Sequence, residues 1–130
     1  MVNDETLKLR DAVESYADSK YGSKPEHLWK EYPEYEVFRH ESKGKEKGKW
    51  FLLLANVTRK QLNMDDPTGE TIFVANVKCE PDRVLELLHE PGYARAYHMN
   101  KEQWLSILLD GTVSMEKIEA LIDNSFTLTK

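Results

Sequence analysis

Four lysines in one short segment are the residues of this chain best suited to bind a ligand by charge. They stand at every second position and are separated by glycine, glutamate and glycine: Lys43, Lys45, Lys47 and Lys49. In an extended segment alternate side chains project to one side, so the four ammonium groups would share one edge. The glycines would let the loop approach a phosphate backbone closely. This pattern predicts a hairpin tip that contacts phosphates, although lysine and glycine also suit a solvated, mobile loop.

The distribution of charge favours the phosphate interpretation more than the total charge does. The chain has 130 residues and a formal net charge of −5 at pH 7, which by itself argues against a general nucleic-acid binder. The acidic excess lies in residues 66–130, whereas residues 39–60 contain seven basic side chains and two acidic ones. Local charge matters more than total charge for docking a polyanion.

A second candidate is the aromatic and basic block PGYARAYHMNKEQW, residues 91–104. If it begins as a strand, Tyr93, Arg95 and Tyr97 lie on one face, and Ala94, Ala96 and His98 lie on the other. Arginine among aromatic rings suits base stacking and phosphate contact. The alternative is a structural strand whose aromatic side chains cover the sheet. We assign Tyr97 and Trp104 to the core and leave both interpretations open for Arg95 and Lys101.

Catalytic and metal-binding patterns are weaker. An enzyme would need His98, Cys79 or Asp110 to converge with partners, and the other histidines show no ligand spacing with His98. Three aspartates recur every seven residues in the first segment, at Asp4, Asp11 and Asp18. Carboxylates at this spacing could recruit hard cations, but a solvated helix face explains them more simply. We therefore predict a non-enzymatic protein without a cofactor or a bound metal.

The elements that position these residues can be predicted from periodicity and from turn residues. Helices are predicted at 3–21, 81–89 and 114–126, with a helical turn from Pro25. The inner face of the first helix is assigned to Leu9, Ala12, Val13, Tyr16 and Ala17. Strands are predicted at 35–40, 49–57, 71–78, 94–99 and 104–109. Strands joined by short turns favour antiparallel pairing, so we predict an α+β fold: a two-layer sandwich with an antiparallel sheet of about five strands packed against N- and C-terminal helices.

Chain length and cysteine content indicate the number of domains and the cellular compartment. A chain of this length suits a single domain, predicted to span residues 1–130. The single cysteine gives no sign of an oxidising compartment, and the N-terminal residues lack the apolar core of a signal peptide. We expect a cytoplasmic protein that does not enter a membrane.

Six segments of the chain resemble the MmcQ/YjbR family. They are LWKEYPEYEVFRH (28–40), GKWFLLL (48–54), NVKCEP (76–81), PGYARAYHMNKEQW (91–104), LLDGTV (108–113) and LIDNSFTLT (121–129). The resemblance covers roughly residues 25–129. It implies a fold similar to CyaY, the frataxin fold, and a DNA-binding protein with a "double wing" motif. By position, the wings would be the hairpins at 39–49 and 98–104.

The main functional hypothesis is therefore weak, salt-sensitive binding of double-stranded DNA through its phosphates. The predicted contacts are Arg39, Lys43, Lys45, Lys47, Lys49, Arg95, His98 and Lys101. The alternative is a small-ligand or protein-interaction module that uses Tyr93, Tyr97, His98 and Trp104. A flat basic face shared by both hairpins would favour DNA, and a concave pocket beside His98 would favour a ligand.

Overall fold

The computed structural model describes residues 3–130. Within that range the chain forms three α-helices and one five-stranded sheet, with a 3₁₀ turn at Arg59–Leu62. In chain order the elements are α1 (Asp4–Tyr21), β1 (Glu36–Arg39), β2 (Trp50–Thr58), β3 (Thr71–Lys78), α2 (Pro81–Leu87), β4 (Tyr93–Arg95), β5 (Trp104–Leu108) and α3 (Met115–Leu128). The predicted α+β fold is confirmed.

The sheet brings the two predicted wings to the same end. Its strand order is β1-β2-β3-β5-β4, and neighbouring strands are antiparallel. Arg39 at the end of β1 pairs with Trp50, and Lys78 at the end of β3 pairs with Trp104. The β1–β2 and β4–β5 connections therefore leave from one end, which we call the hairpin end.

The terminal helices begin where the sequence predicts, and α1 ends at the predicted residue, whereas α3 continues two residues past the predicted end at Phe126. The Asn3 side chain accepts a hydrogen bond from the Thr6 amide (3.1 Å), and Ser114 accepts one from the Lys117 amide. These side chains satisfy amides that have no partner within the first turn of a helix. Gly22 ends α1 in the left-handed region, at φ +64°. Both helices run toward the hairpin end, because α1 starts beside β3 at Phe73 and α3 follows β5.

Helices α1 and α3 cover one face of the sheet, and two of their hydroxyls bond directly to strand backbone. The Thr6 hydroxyl accepts from the Phe73 amide at 2.9 Å. The Ser125 hydroxyl accepts from the Lys78 amide at 2.8 Å and donates to the Phe51 carbonyl at 2.6 Å. Both hydroxyls are fully buried, so each bond satisfies backbone that water cannot reach.

The opposite face of the sheet is covered by irregular segments. It carries a second buried cluster that includes Val37, Leu53 and Leu108. Trp29 and Tyr97, from the connections before β1 and after β4, pack against this cluster. The sheet is thus buried on both sides, although only one side has helices.

Two local predictions were wrong. The segment from Pro25 does not form a helical turn, because Glu26 and Val37 exchange backbone hydrogen bonds of 3.0 Å in each direction. This pairing protects the outer edge of β1. On α1, Ala12 is exposed, whereas Thr6 is buried for the hydrogen bond to β3.

A carboxyl pair between α1 and β1 makes stability depend on pH. Burial, and next the neighbouring Glu36 carboxyl group, raise the pKa of Glu14 to about 8, while the Arg10 guanidinium opposes this rise. Among residues 3–130, Glu36 Oε1 is buried without a hydrogen-bond partner. A proton on Glu14 would supply one.

We predict that the folded protein loses stability as pH rises from about 5 to 8. The folded-state pKa of Glu14 is raised, so the folded chain holds a proton there that the unfolded chain releases. The change should be about 1–2 kcal/mol, less than the full shift implies, because 26% of the Glu14 side chain is exposed. Glu14→Gln should flatten this pH dependence in urea unfolding, and Glu86→Gln on exposed α2 should not. Equal pH profiles for the wild type and Glu14→Gln would contradict the prediction.

Candidate functional site

The β1–β2 connection forms a tight hairpin that presents its lysines to solvent. Lys43 and Glu46 exchange backbone hydrogen bonds of 2.9 and 3.1 Å around two central residues. Gly44, the first of these, has φ +61°, as a type II′ turn requires at that position. Nearer the sheet, the His40 amide donates to the Lys49 carbonyl at 3.0 Å. The tip is therefore an ordered hairpin extension of β1 and β2.

Gly48 allows the two arms of this hairpin to approach closely. A Cβ atom built on Gly48 would overlap the carbonyl group of His40. Gly44 is different, because a Cβ atom there would meet no atom within 4 Å. The two glycines thus serve separate needs, one for the turn conformation and one for backbone packing.

The four tip lysines are exposed and free of ion pairs within the described part of the chain. Other surface cations differ from them: Lys24 pairs with Asp18 at 2.9 Å, and Arg59 pairs with Asp110 at 2.9 Å. Hence the positive charge of the tip is not cancelled by contacts within residues 3–130.

A groove of about 720 Å³ lies between the hairpin tip and the C-terminal ends of α1 and α3. Two carboxylates, Glu41 and Glu46, line it together with a larger set of basic side chains. The basic set is Lys20, Arg39, Lys43, Lys47, Lys49 and Lys130. We call this surface the basic groove. Its cations outnumber its carboxylates although the whole chain is acidic.

His40 forms an apolar part of the groove wall. Its ring lies 4.0 Å from the Phe126 ring and 5.5 Å from the Phe51 ring, measured between centroids. The Thr129 hydroxyl donates to the Ser125 carbonyl and lies 2.8 Å from His40 Nε2, so His40 Nε2 donates to it. Burial, and next the charge of Lys130, lower the pKa of His40. The imidazole is thus a neutral structural group in a positive surrounding.

Arg39 is held at the base of the hairpin. Its Nε donates to Glu26 Oε2 at 2.9 Å, and its guanidinium lies 5.6 Å from the centre of the Trp50 ring. This arginine therefore joins the pre-β1 segment to the hairpin, and its charge already has a partner.

The second predicted wing folds back over the sheet. The predicted strand 94–99 ends at Arg95, and Asn76 in β3 donates from Nδ2 to the Tyr97 carbonyl at 2.9 Å. The Tyr97 amide donates to the Ser106 hydroxyl at 3.2 Å, and His98 takes φ +62°. Residues 96–103 consequently form a packed loop, which we call the β4–β5 loop.

The predicted alternation across this block was wrong beyond β4. Tyr93 packs with the helix-side cluster, whereas Ala94 and Tyr97 both pack on the opposite face. Strand alternation places exposed Arg95 on the helix side with Tyr93. Lys101 Nζ donates to the Ala96 carbonyl at 3.2 Å. The hairpin end thus carries Arg95, Lys101 and the tip lysines, but they do not line one groove, so the basic face shared by both hairpins that would favour DNA is not formed by these residues.

A second cavity, of about 270 Å³, lies on the face opposite the helices beside His98. We call it the aromatic pocket. Leu53 contributes to its lining, and the other lining residues are Trp29, Tyr32, Tyr35, Trp50, His98 and Met99. Of the four residues in the alternative hypothesis, only His98 lines it. The other lining residues were not predicted, although the aromatic density of LWKEYPEY was a usable signal.

The remaining candidates do not converge. Cys79 is buried, and burial raises the pKa of its thiol, which disfavours the reactive thiolate. Asp110 pairs with Arg59 at the end of the sheet away from the hairpins. Within residues 3–130 there is no group of three or more His, Cys, Asp or Glu side chains placed to hold a metal ion. No helix in that range has the length and apolar character needed to cross a bilayer.

Comparison with known proteins shows a family and a fold. A family model described as YjbR matches residues 18–128. The uncharacterized protein YyaQ of Bacillus subtilis is 37% identical over 124 residues, covering 95% of this chain and all of the relative. A crystal structure of a Pseudomonas syringae protein has a TM-score of 0.84 and 36% identity, covering 93% of this chain and 98% of that one. Deinococcus radiodurans protein DR2400 has a TM-score of 0.68 and 26% identity, covering 92% and 76%.

Proposed function

The chain belongs to the YjbR family, and we propose that it is a non-enzymatic domain that binds the phosphate backbone of double-stranded DNA with its β1–β2 hairpin. The observation that carries this proposal is the exposed, unpaired set of tip lysines beside the basic groove. The tip is locally positive although the whole chain has a net charge of −5. A local cationic surface of this kind supports docking of a polyanion regardless of the total charge.

The shape of the hairpin supports contact with phosphates. The II′ turn holds Lys43 and Lys45 at the end of the hairpin. The groove behind the tip adds Lys130, from the C-terminal end of α3. A backbone that lies along the tip would therefore meet several cations at once.

The groove is lined by neither asparagine nor glutamine, which pair with adenine edges in the major groove, and its arginine, Arg39, is held by Glu26. Lysine contacts to phosphate fix position but carry no sequence information. We therefore propose weak binding that is largely independent of sequence.

The other predicted contacts have a smaller part in this proposal. Arg95, His98 and Lys101 lie at the hairpin end but outside the basic groove, and Arg39 is paired with Glu26. We expect each of these four residues to contribute less to DNA affinity than a tip lysine.

The proposal of a non-enzymatic role rests on the separation of the reactive groups. Cys79, His98 and Asp110 lie in three different places, on the helix side, beside the aromatic pocket and at the far end of the sheet. We propose a cytoplasmic location. The single cysteine is a free thiol. DNA, the proposed ligand, lies in the cytoplasm of bacteria such as Bacillus subtilis, the source of the relative YyaQ.

Titration with a labelled DNA duplex at two salt concentrations tests the proposal. With about four phosphate contacts, log K should fall with log salt at a slope of about −3 to −4. Between about 50 and 200 mM salt the affinity should then drop roughly 100-fold. Absence of binding at about 50 mM salt, or binding that is insensitive to salt, would contradict it.

A further inference from the structure

The aromatic pocket is a sizeable feature of residues 3–130 that phosphate binding does not use. We propose that it receives a single unstacked base of a single-stranded nucleic acid whose phosphates lie on the tip lysines. This inference rests on the phosphate binding by the hairpin in the proposed function, and it adds a single-stranded ligand to the duplex named there.

The aromatic rings of the pocket meet at steep angles. The Trp29 and Trp50 rings are 5.7 Å apart at 89°, and the Trp29 and Tyr35 rings are 6.0 Å apart at 76°. Tyr32 stacks on Tyr35 with a centroid distance of 4.6 Å and is 44% exposed. Rings in such different orientations present both faces and edges to a bound molecule. Any of the bases can stack on an aromatic face.

His98, from the β4–β5 loop, forms the wall of the pocket that faces Tyr32 and Tyr35. Its ring lies 6.0 Å from the Tyr32 ring and 6.4 Å from the Tyr35 ring. The positive φ of His98 is uncommon for a residue other than glycine, and it follows from the bonds that anchor the β4–β5 loop. Tyr35, which also lines the pocket, is 5% exposed. The pocket therefore combines aromatic surfaces with an imidazole that could bond a base edge.

The pocket and the basic groove meet at one pair of residues. Arg39 lines the groove, Trp50 lines the pocket, and the two are paired across β1 and β2. The Arg39 guanidinium lies over the Trp50 ring, 5.6 Å from its centre, so a groove residue lies against a pocket residue. A strand with its phosphates on the tip could place a base against Trp50.

The chemistry of the pocket favours a base over a cation. No carboxylate lines it, although an aromatic site for a cation gains from one nearby. The guanidinium of Arg39 already lies over the Trp50 ring. A volume of about 270 Å³ is close to the lower end of small-ligand sites, which suits one ring system and not a large cofactor.

The test compares two single-stranded oligonucleotides of equal length, oligo(dT) and an abasic strand with the same phosphates. The wild type should bind oligo(dT) about 10-fold more tightly, since stacking of one base contributes about 1–3 kcal/mol. Tyr32→Ala should remove this preference and leave abasic binding unchanged. Leu85→Ala, which removes a 54% exposed side chain on α2, is the matched control and should keep the preference.

The outcomes separate this inference from the proposed function. Equal affinity of the wild type for the two strands would overturn the base pocket, while phosphate binding by the tip would stand. Failure of both strands to bind would overturn the single-stranded ligand, while the duplex titration decides the proposed function separately; the pocket itself is then tested with free nucleoside. Two of the three tryptophans line the pocket, so nucleoside should quench tryptophan fluorescence in the wild type and not in Tyr32→Ala. Absence of quenching, or quenching by choline in place of nucleoside, would overturn the inference.

Discussion

Replacing Asn76 with alanine should lower the free energy of unfolding by about 2–3 kcal/mol and release the β4–β5 loop. Asn76 is fully buried in β3, and its carboxamide donates to the Tyr97 carbonyl while it accepts from the Ser106 hydroxyl. Ser106 in turn accepts from the Tyr97 amide. Removal of the carboxamide would leave buried polar groups unpaired, which costs more than the loss of a solvated hydrogen bond.

Asn56→Ala is the matched control for this variant. Asn56 lies on the neighbouring strand β2 and is only half-buried, so its substitution should cost less than about 0.5 kcal/mol. Urea unfolding gives the two stabilities, and the NMR signal of the His98 ring reports the loop. An Asn76→Ala protein with the stability of Asn56→Ala and an unchanged His98 signal would show that the carboxamide does not anchor the loop.

Replacing Lys43, Lys45 and Lys47 together with glutamine should weaken duplex binding at least about 100-fold at low salt. Each of these lysines is exposed and unpaired within residues 3–130, so its loss should remove a phosphate contact without disturbing a contact inside the fold. The salt slope should also become shallower by about one unit for each lysine removed. Fluorescence anisotropy with a labelled duplex measures both quantities.

The control for the lysine variant carries the same change in total charge. Lys8, Lys60 and Lys117 are exposed on α1, on the 3₁₀ turn and on α3, at the end of the sheet away from the hairpins. Their joint replacement with glutamine should change the affinity only a few-fold, through long-range attraction alone. If both triple variants lose affinity equally, total charge rather than the hairpin governs binding.

The regular elements could be predicted because local signals and the global fold agree. Ser114 caps α3, Gly22 ends α1, and residues 71–78 form β3 with the predicted bounds. The residues of α3 at helical spacing, Ile118, Leu121, Ile122 and Ser125, form its buried stripe. In each case a short motif or a simple periodicity carries the information.

The aromatic density of LWKEYPEY was a signal for the pocket, but its position on the sheet could not be predicted because irregular backbone assembles it. Trp29 and Tyr32 follow a segment that pairs with the edge of β1, and no periodicity indicates which sheet face they would cover. The position of His98 depends on a hydrogen bond from Asn76, more than twenty residues earlier in the chain. Thr6 and Ser125 are similar cases, because their roles depend on strand backbone that lies far away in sequence.

The β1–β2 hairpin could be predicted from the sequence only in part. The alternating lysines predicted an exposed cationic tip, and the structure places those lysines on a II′ hairpin. Sequence alone did not show that the C-terminal ends of α1 and α3 complete a groove behind the tip, because Lys20 and Lys130 are distant from the hairpin in the chain. Nor did it show that Arg39 is paired with Glu26.

The most direct test of the central claim is an NMR titration of the isotope-labelled protein with a short duplex at low salt. Duplex binding by the β1–β2 hairpin predicts that amide shifts concentrate in residues 39–49 and 126–130, and that they reverse as salt is added. Shifts confined to α2 or to the far end of the sheet, or no shifts at a several-fold excess of duplex, would contradict the claim.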